Sequence, residues 1–204
     1  MRRLTADLIG YQNAELGATY LDTVERVATA EQTVSSGSTK LTHAVAVNLH
    51  KLLAYKDEYE VARLMLDDDA MRQAYEIAGA DGRVAWQLHP PMLRALGVQR
   101  KLSFGARTAP AFRLLARGKR LRGTAFDPFR WSKVRRLERQ LPGEYRATIA
   151  SLLDALTVGN LAQAVDIAGL PDVVRGYEHL KLARAATYRR NTAEALAAFR
   201  SGGG

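Results

Sequence analysis

The stretch 4–28, LTADLIGYQNAELGATYLDTVERVA, decides the fold class of this chain. Its apolar or small residues recur at steps of three and four, which is the period of one face of an α-helix. These positions are Leu8, Tyr11, Ala14, Ala18, Leu21, Val24 and Ala28. The pattern predicts one long amphipathic helix over this stretch.

The helical period returns along most of the remaining chain. Ser38 or Thr39 can cap a second helix that runs to about Leu66, and the carboxylates of 67–69 can begin a third that stops at Gly79. Further helices are predicted over 110–121, closed by Gly123, and over 132–141, 144–156, 158–168 and 172–199. Ser132 can cap the helix of 132–141, and Pro142-Gly143 should break or kink it. The segment 126–129 should be extended, because a residue before proline avoids the α region.

Two short stretches alternate apolar and polar residues instead, which is typical of strands. They cover 83–89 and 101–104, and we expect them to pair as one small β-hairpin. The sequence therefore predicts a mainly α, bundle-like domain of about eight helices with one hairpin. It should form a single domain over 1–200, divisible at the hairpin into lobes 1–82 and 106–200, with a flexible tail at 201–204.

Composition and charge narrow the function. The chain has no cysteine, which excludes disulfides, thiolate zinc sites and iron–sulfur ligation by its own residues. Without a long apolar run or a signal-peptide core it should be cytoplasmic, with no membrane contact. Residues 94–139 hold fourteen Lys or Arg against two Asp or Glu, so they carry the excess behind the net charge of +9. Such a patch points to an acidic partner, either a protein surface or a phosphate backbone.

Motifs for catalysis or metal binding do not stand out. His43 and His50 share a helix face, but seven residues span about 10 Å of helix rise, too far for one metal ion. No nucleophile elbow occurs and no phosphate-binding loop follows a predicted strand. We therefore name no catalytic residue and no metal ligand.

The run 55–63, YKDEYEVAR, is the densest charged motif and has two interpretations. It can be a solvated helix face with a Glu60–Arg63 pair at i, i+3. Alternatively it is an interface, where two tyrosines bury their rings and the charges fix the orientation. Arginines in turn-like Arg-Gly settings can hold a carboxylate or carbonyl, or form a plain buried ion pair. The interface or docking candidates are Tyr55, Lys56, Asp57, Glu58, Tyr59, Arg63, Arg117, Arg120, Arg122, Arg135 and Arg175.

Three runs together carry a family resemblance: LAYKDEYEVARL at 53–64, LRGTAFDPF at 121–129 and GLPDVVRGYEHLK at 169–181. They resemble the C-terminal helical domain of fused-type indolepyruvate ferredoxin oxidoreductases, in the 2-oxoacid:ferredoxin oxidoreductase family. The likeness covers roughly 4–200 and includes HPPML from His89. Pro142-Gly143 departs from the pattern, which puts a helix boundary in doubt.

The resemblance implies a parent enzyme that oxidatively decarboxylates arylpyruvates with thiamine diphosphate, magnesium and iron–sulfur clusters, passing electrons to ferredoxin and the acyl group to coenzyme A. This chain lacks the cluster cysteines, and Ala80-Asp81-Gly82 only approaches a thiamine motif. The resemblance therefore implies an accessory domain with no cofactor of its own. It would support assembly with the other domains or subunits of the oxidoreductase, or docking of ferredoxin.

The alternative is a stand-alone basic helical module that binds nucleic acid. Aromatic residues alternate with the cations of 94–139, as they do in some nucleic-acid-binding surfaces. They are Phe104, Phe112, Phe126, Phe129 and Trp131. Their spacing fits a helix core better than a stacking surface, so this is the weaker hypothesis.

Overall fold

The computed structural model describes residues 1–79, 84–88, 102–104, 108–176 and 178–201. Within them nine α-helices and two short strands confirm the mainly α class. The helices are α1 (Arg2–Tyr11), α2 (Ala14–Val34), α3 (Lys40–Leu53), α4 (Glu58–Met65), α5 (Asp68–Ala78), α6 (Ala109–Arg117), α7 (Lys133–Asp154), α8 (Leu161–Gly169) and α9 (Glu178–Ser201).

The strands β1 (Trp86–Leu88) and β2 (Leu102–Phe104) pair antiparallel, with Trp86 opposite Phe104. Arg83, His89 and Lys101, at the ends of the predicted strands, lie outside the described residues. Two 3₁₀ helices, Gly118–Leu121 and Leu170–Val173, follow α6 and α8 directly.

The chain divides into two compact units, which we call the core unit and the inserted unit. The core unit comprises Met1–Tyr55 and Asp127–Gly204, and the inserted unit comprises Lys56–Phe126. This division differs from the lobes expected at 1–82 and 106–200. The reason is that α3, in the N-terminal part of the chain, packs against α7 and α8 of the C-terminal part.

Caps break two helices that the sequence period predicts to be continuous. The helix expected over 4–28 is interrupted because Asn13 is extended (φ −162°, ψ 174°) and its side chain accepts a hydrogen bond from the Leu16 N–H at 2.9 Å, which begins α2. The helix expected to reach Leu66 ends at Leu53, since Asp57 caps a new helix, α4. Both breaks preserve the three-to-four spacing, so the apolar period does not reveal them. The third expected helix is confirmed as α5, with Asp67 as its cap and Gly79 at its end.

The helix predicted over 110–121 is confirmed to within one residue, with its last four residues, Gly118–Leu121, in 3₁₀ geometry. Other predicted boundaries are wrong. The segment 126–129 is a turn, because the Asp127 carboxylate accepts the Phe129 N–H at 3.0 Å. The expected helix start at 158 lies at Leu161, and the start at 172 lies at Glu178, after Gly176 takes a φ of 102°.

Helix α7 runs unbroken through Pro142, contrary to the expected break. The buried neighbours Leu141 and Tyr145 anchor both sides of the proline in the core, which offsets the hydrogen bond that the proline cannot make. Ser132 precedes α7 but makes no capping side-chain bond.

The core unit is built on one hydrophobic cluster contributed by α1, α2, α3, α7, α8 and α9. Two buried tyrosines hold neighbouring helices by their hydroxyls. Tyr20 donates to the Ala46 carbonyl at 3.1 Å and Tyr145 donates to the Ala168 carbonyl at 2.8 Å. Burial raises the pKa of Tyr20 to about 12, which favours the protonated hydroxyl that donates this hydrogen bond.

Glu31, a fully buried acid on α2, caps α3 in place of Ser38 or Thr39. Its carboxylate accepts the Leu41 N–H at 3.0 Å, the Thr42 N–H at 2.8 Å and the Thr42 hydroxyl at 2.7 Å. The Ser38 hydroxyl donates to it at 2.6 Å. Burial alone would raise the pKa of Glu31, but the hydrogen bonds from Ser38, Thr42 and Leu41 lower it.

We predict that Glu31→Gln lowers the free energy of unfolding by about 2 kcal/mol at neutral pH, because an amide cannot accept all four donors. Urea unfolding measures the loss. A folded-state pKa below the unfolded value means that the ionised acid stabilises the fold above the unfolded value, near 4.3, and less as pH falls through the folded value. The gap between the two proteins should therefore narrow in acid. Glu25→Gln, an exposed position on the same helix, should change little at any pH.

Candidate functional site

Asp57 lies in the short connection between α3 and α4 and is almost fully buried. Its side chain is 3% exposed, and its Oδ1 accepts the Glu60 N–H at 2.8 Å. The carboxylate thus caps α4 and places negative charge at the positive end of the helix dipole.

Arg122 supplies the opposite charge from a turn that follows the 3₁₀ helix Gly118–Leu121. Its Nη2 donates to Asp57 Oδ1 at 2.9 Å and its Nε donates to Oδ2 at 2.5 Å. The Arg122 side chain is 5% exposed, so water screens the pair very little. Gly123 continues the turn with a φ of 75°, a conformation that favours glycine. The result is a two-pronged ion pair between residues 65 positions apart.

Tyr59 packs beside this pair. The Arg122 guanidinium lies 5.7 Å from the centre of the Tyr59 ring. A Cβ atom at Gly118 would lie 2.8 Å from Tyr59 Cε1, so the glycine allows the 3₁₀ helix to approach the ring. Gly118 therefore serves a packing contact in the inserted unit.

The predicted Glu60–Arg63 pair is confirmed. The guanidinium donates to both carboxylate oxygens, at 2.8 Å and 2.6 Å. Lys119 lies in the same electrostatic field, where burial lowers its pKa and the Arg63 and Arg122 cations lower it further. Cations therefore crowd this part of the inserted unit.

Other sequence candidates lie elsewhere. In the core unit Tyr55 is 8% exposed, and the Arg135 guanidinium is 5.9 Å from its ring centre. Arg175 pairs with Asp172, which also accepts the Lys51 ammonium at 2.8 Å. The Arg175 and Lys51 hydrogen bonds lower the pKa of Asp172 to about 2. Lys56 is exposed, Glu58 is half-buried, and Arg117 and Arg120 are exposed.

Sequence reasoning missed Glu138. This buried carboxylate accepts Arg135 at 2.5 Å and Lys181 at 2.5 Å, and so joins α7 to α9. The i, i+3 spacing of Arg135 and Glu138 could have indicated this ion pair from the sequence. The contact with Lys181, 43 positions away, has no such local signal. The expectation that the aromatics of 94–139 fill the core is correct for Phe112 but wrong for Phe126 and Trp131, which are 81% and 74% exposed. They flank the turn at 127–130, whose hydrogen bonds are local to the turn.

The Asp57–Arg122 site has the chemistry of a structural lock. Both carboxylate oxygens of Asp57 receive charged donors, so the pair fixes two chain segments in one orientation. Within the described ranges, no three His, Asp or Glu side chains gather as metal ligands. None of the described helices is both long and apolar enough to span a bilayer.

The model of DUF6537, described as a family of unknown function, matches residues 1–194. The chain belongs to this family. No curated protein and no solved structure matches it. The DUF6537 match takes in both the core unit up to 194 and the whole inserted unit.

We predict that Asp57→Asn loosens the inserted unit by about 3 kcal/mol. Asparagine caps a helix as well as aspartate does, so the variant removes the charge and leaves Arg122 buried without its counter-ion. Hydrogen exchange of the α4 and α6 amides measures the change, and those amides should exchange faster. The exposed neighbour change Arg120→Gln is the matched control. Equal protection in all three proteins would show that the pair does not hold the unit together.

Proposed function

We propose that this chain is a non-catalytic helical domain of an indolepyruvate ferredoxin oxidoreductase, where it supports assembly of the enzyme or docking of its partners. One observation carries the proposal. The runs 53–64 and 121–129, which underlie the resemblance to that family, supply the two halves of one buried ion pair. The resemblance therefore rests on residues that are physically coupled.

The character of the site supports an assembly role. A side chain that acts on a substrate needs polar atoms that can reach the substrate. Asp57 and Arg122 are buried and direct theirs to each other and to the N–H that begins α4. Such a pair sets geometry, since removing either partner leaves an uncompensated buried charge. In this proposal the thiamine diphosphate, magnesium, iron–sulfur clusters and coenzyme A belong to other domains of a cytoplasmic enzyme.

The charge distribution supports docking of an acidic protein. Of the cations in 94–139, Arg113, Arg117, Arg120, Lys133 and Arg136 are exposed. Exposed like charges repel one another unless counter-charge is near, and an acidic partner such as a ferredoxin would supply it. Complementary charge of this kind speeds encounter and loses effect as salt rises.

The proposal predicts complementation. An indolepyruvate ferredoxin oxidoreductase truncated before its own C-terminal helical domain should bind the purified chain and regain arylpyruvate-dependent ferredoxin reduction. Co-elution in size exclusion and ferredoxin reduction kinetics measure the two effects. The chain alone should not reduce ferredoxin. Turnover by the chain alone, or a truncated enzyme that neither binds nor responds, would contradict the proposal.

Nucleic-acid binding is the second candidate, and the exposed Trp131 favours it. The Arg130 guanidinium lies 4.7 Å from the Trp131 ring centre, and the cations Lys133 and Arg136 follow on α7. An exposed aromatic among cations can stack a base and contact its phosphates.

The two candidates predict different titrations. If the chain binds nucleic acid, single-stranded oligonucleotides should quench Trp131 fluorescence in physiological salt. Trp131→Ala, measured by the fluorescence anisotropy of a labelled oligonucleotide, should weaken binding by about 1–3 kcal/mol. If the docking proposal is right, only an acidic protein should bind under those conditions. Trp86, the second tryptophan, makes Trp86→Phe the background in which to read the signal.

A further inference from the structure

We infer that the inserted unit carries two complementary surfaces through which two copies of this chain pair. The first, the arginine face, consists of Arg113, Arg117 and Arg120 with Leu114 and Leu121. The second, the acidic helix, is α5 with its carboxylates and uncovered apolar residues. Each copy would lay its acidic helix on the arginine face of the other.

The arginine face lies on α6 and the 3₁₀ helix that continues it. Its three arginines are spaced i, i+4 and i+7, so they project from the same side. All three are exposed and form no ion pair or hydrogen bond with any described residue. Leu114 and Leu121 are 73% and 41% exposed. This face therefore presents cations beside apolar side chains.

The opposite side of the same segment is already occupied. Phe112 is buried, and Gly118 packs on Tyr59. The inserted unit thus uses one side of α6 for its own fold and leaves the arginine face uncovered.

The acidic helix has the reverse composition: Asp68, Asp69 and Glu76 outnumber its one cation, Arg72, which pairs with Asp69. None of the 11 residues of α5 is buried, although its sequence is amphipathic. Ile77 is 89% exposed and Tyr75 is 45% exposed. Asp68 and Asp69 lie in the first turn of α5, where the helix dipole favours negative charge. The exposure of Tyr75 and Ile77 has no such local explanation.

The chemistry of the two surfaces selects a second copy as the occupant. Carboxylates on α5 match arginines on α6, and each charged set lies beside exposed aliphatic carbon. Arginine is enriched in protein–protein interfaces, whereas a phosphate backbone gives exposed leucines nothing apolar to contact. Since both surfaces belong to one unit, every copy brings the complement that another copy needs.

Size favours a closed pair. A helix of 11 residues is about 16 Å long, so a single helix-on-helix contact falls short of the roughly 1,000 Å² that specific interfaces bury. A twofold arrangement makes the contact twice. We expect pairing in the micromolar range, weakened by salt. This inference deepens the proposed assembly role, and in it pairing competes with an acidic partner for the same three arginines. Its test needs only this chain, so either proposal can fail without the other.

The test is sedimentation equilibrium of the wild-type chain and two variants over a concentration series. One variant reverses the arginine face (Arg113→Glu, Arg117→Glu, Arg120→Glu), and the other reverses the acidic helix (Asp68→Lys, Asp69→Lys, Glu76→Lys). Each should raise the dissociation constant about tenfold or more, because like charges then meet. An equimolar mixture of the two variants should pair again, since each restores the other's complement. A control with the same net charge as the first variant reverses Arg2, Arg26 and Arg190, which are exposed in the core unit.

Several results would overturn the inference. They are a monomeric wild-type chain at all concentrations, no recovery in the mixture, or equal weakening by the control. Circular dichroism checks that each variant stays helical. Leu114→Ser, at an exposed position that the fold does not need, provides a second probe and should also weaken pairing. Normal pairing in both Leu114→Ser and the arginine variant would assign self-association to another surface.

Discussion

The carboxylate of Asp57 is the contact on which the inserted unit depends. It caps α4 through the Glu60 N–H and receives both prongs of Arg122, so one buried group fixes a helix start and a distant turn together. Burial makes this arrangement all-or-none, because either charge left alone would be more costly than the pair. Tyr59, Gly118 and the 3₁₀ helix then pack around an orientation that the ion pair has already set.

In the core unit, other buried polar groups fix the orientation of neighbouring helices. Its apolar cluster supplies most of the driving force, but apolar contacts alone do not specify how helices are joined. Glu31 fixes the start of α3 from α2, and Glu138 ties α7 to α9. Tyrosine hydroxyls add a second link between α2 and α3 and one between α7 and α8. Buried, hydrogen-bonded polar groups therefore recur where helices join in both units.

The helical class could be read from the sequence because burial imposes a period of three to four on each helix. The breaks at Asn13 and Asp57 could not, since a cap interrupts the backbone without disturbing that period. Asp57 and Arg122 were both recognisable as candidates from their local runs. Their pairing across 65 positions was not, because one sequence shows no record of contacts between distant residues. The exposure of Phe126 and Trp131 escaped prediction for a related reason, as aromatic spacing alone does not tell a core from a surface.

A double-mutant cycle on Asp57→Asn and Arg122→Met tests the account most directly. The free energy of opening the inserted unit, from hydrogen exchange of α4 and α6, is measured in the wild type, both single variants and the double variant. We predict a coupling of about 2–4 kcal/mol, with the double variant more stable than Asp57→Asn alone, because it removes the stranded cation. A coupling below about 0.5 kcal/mol would mean that the two residues act independently, and the ion pair could not be what joins the two runs.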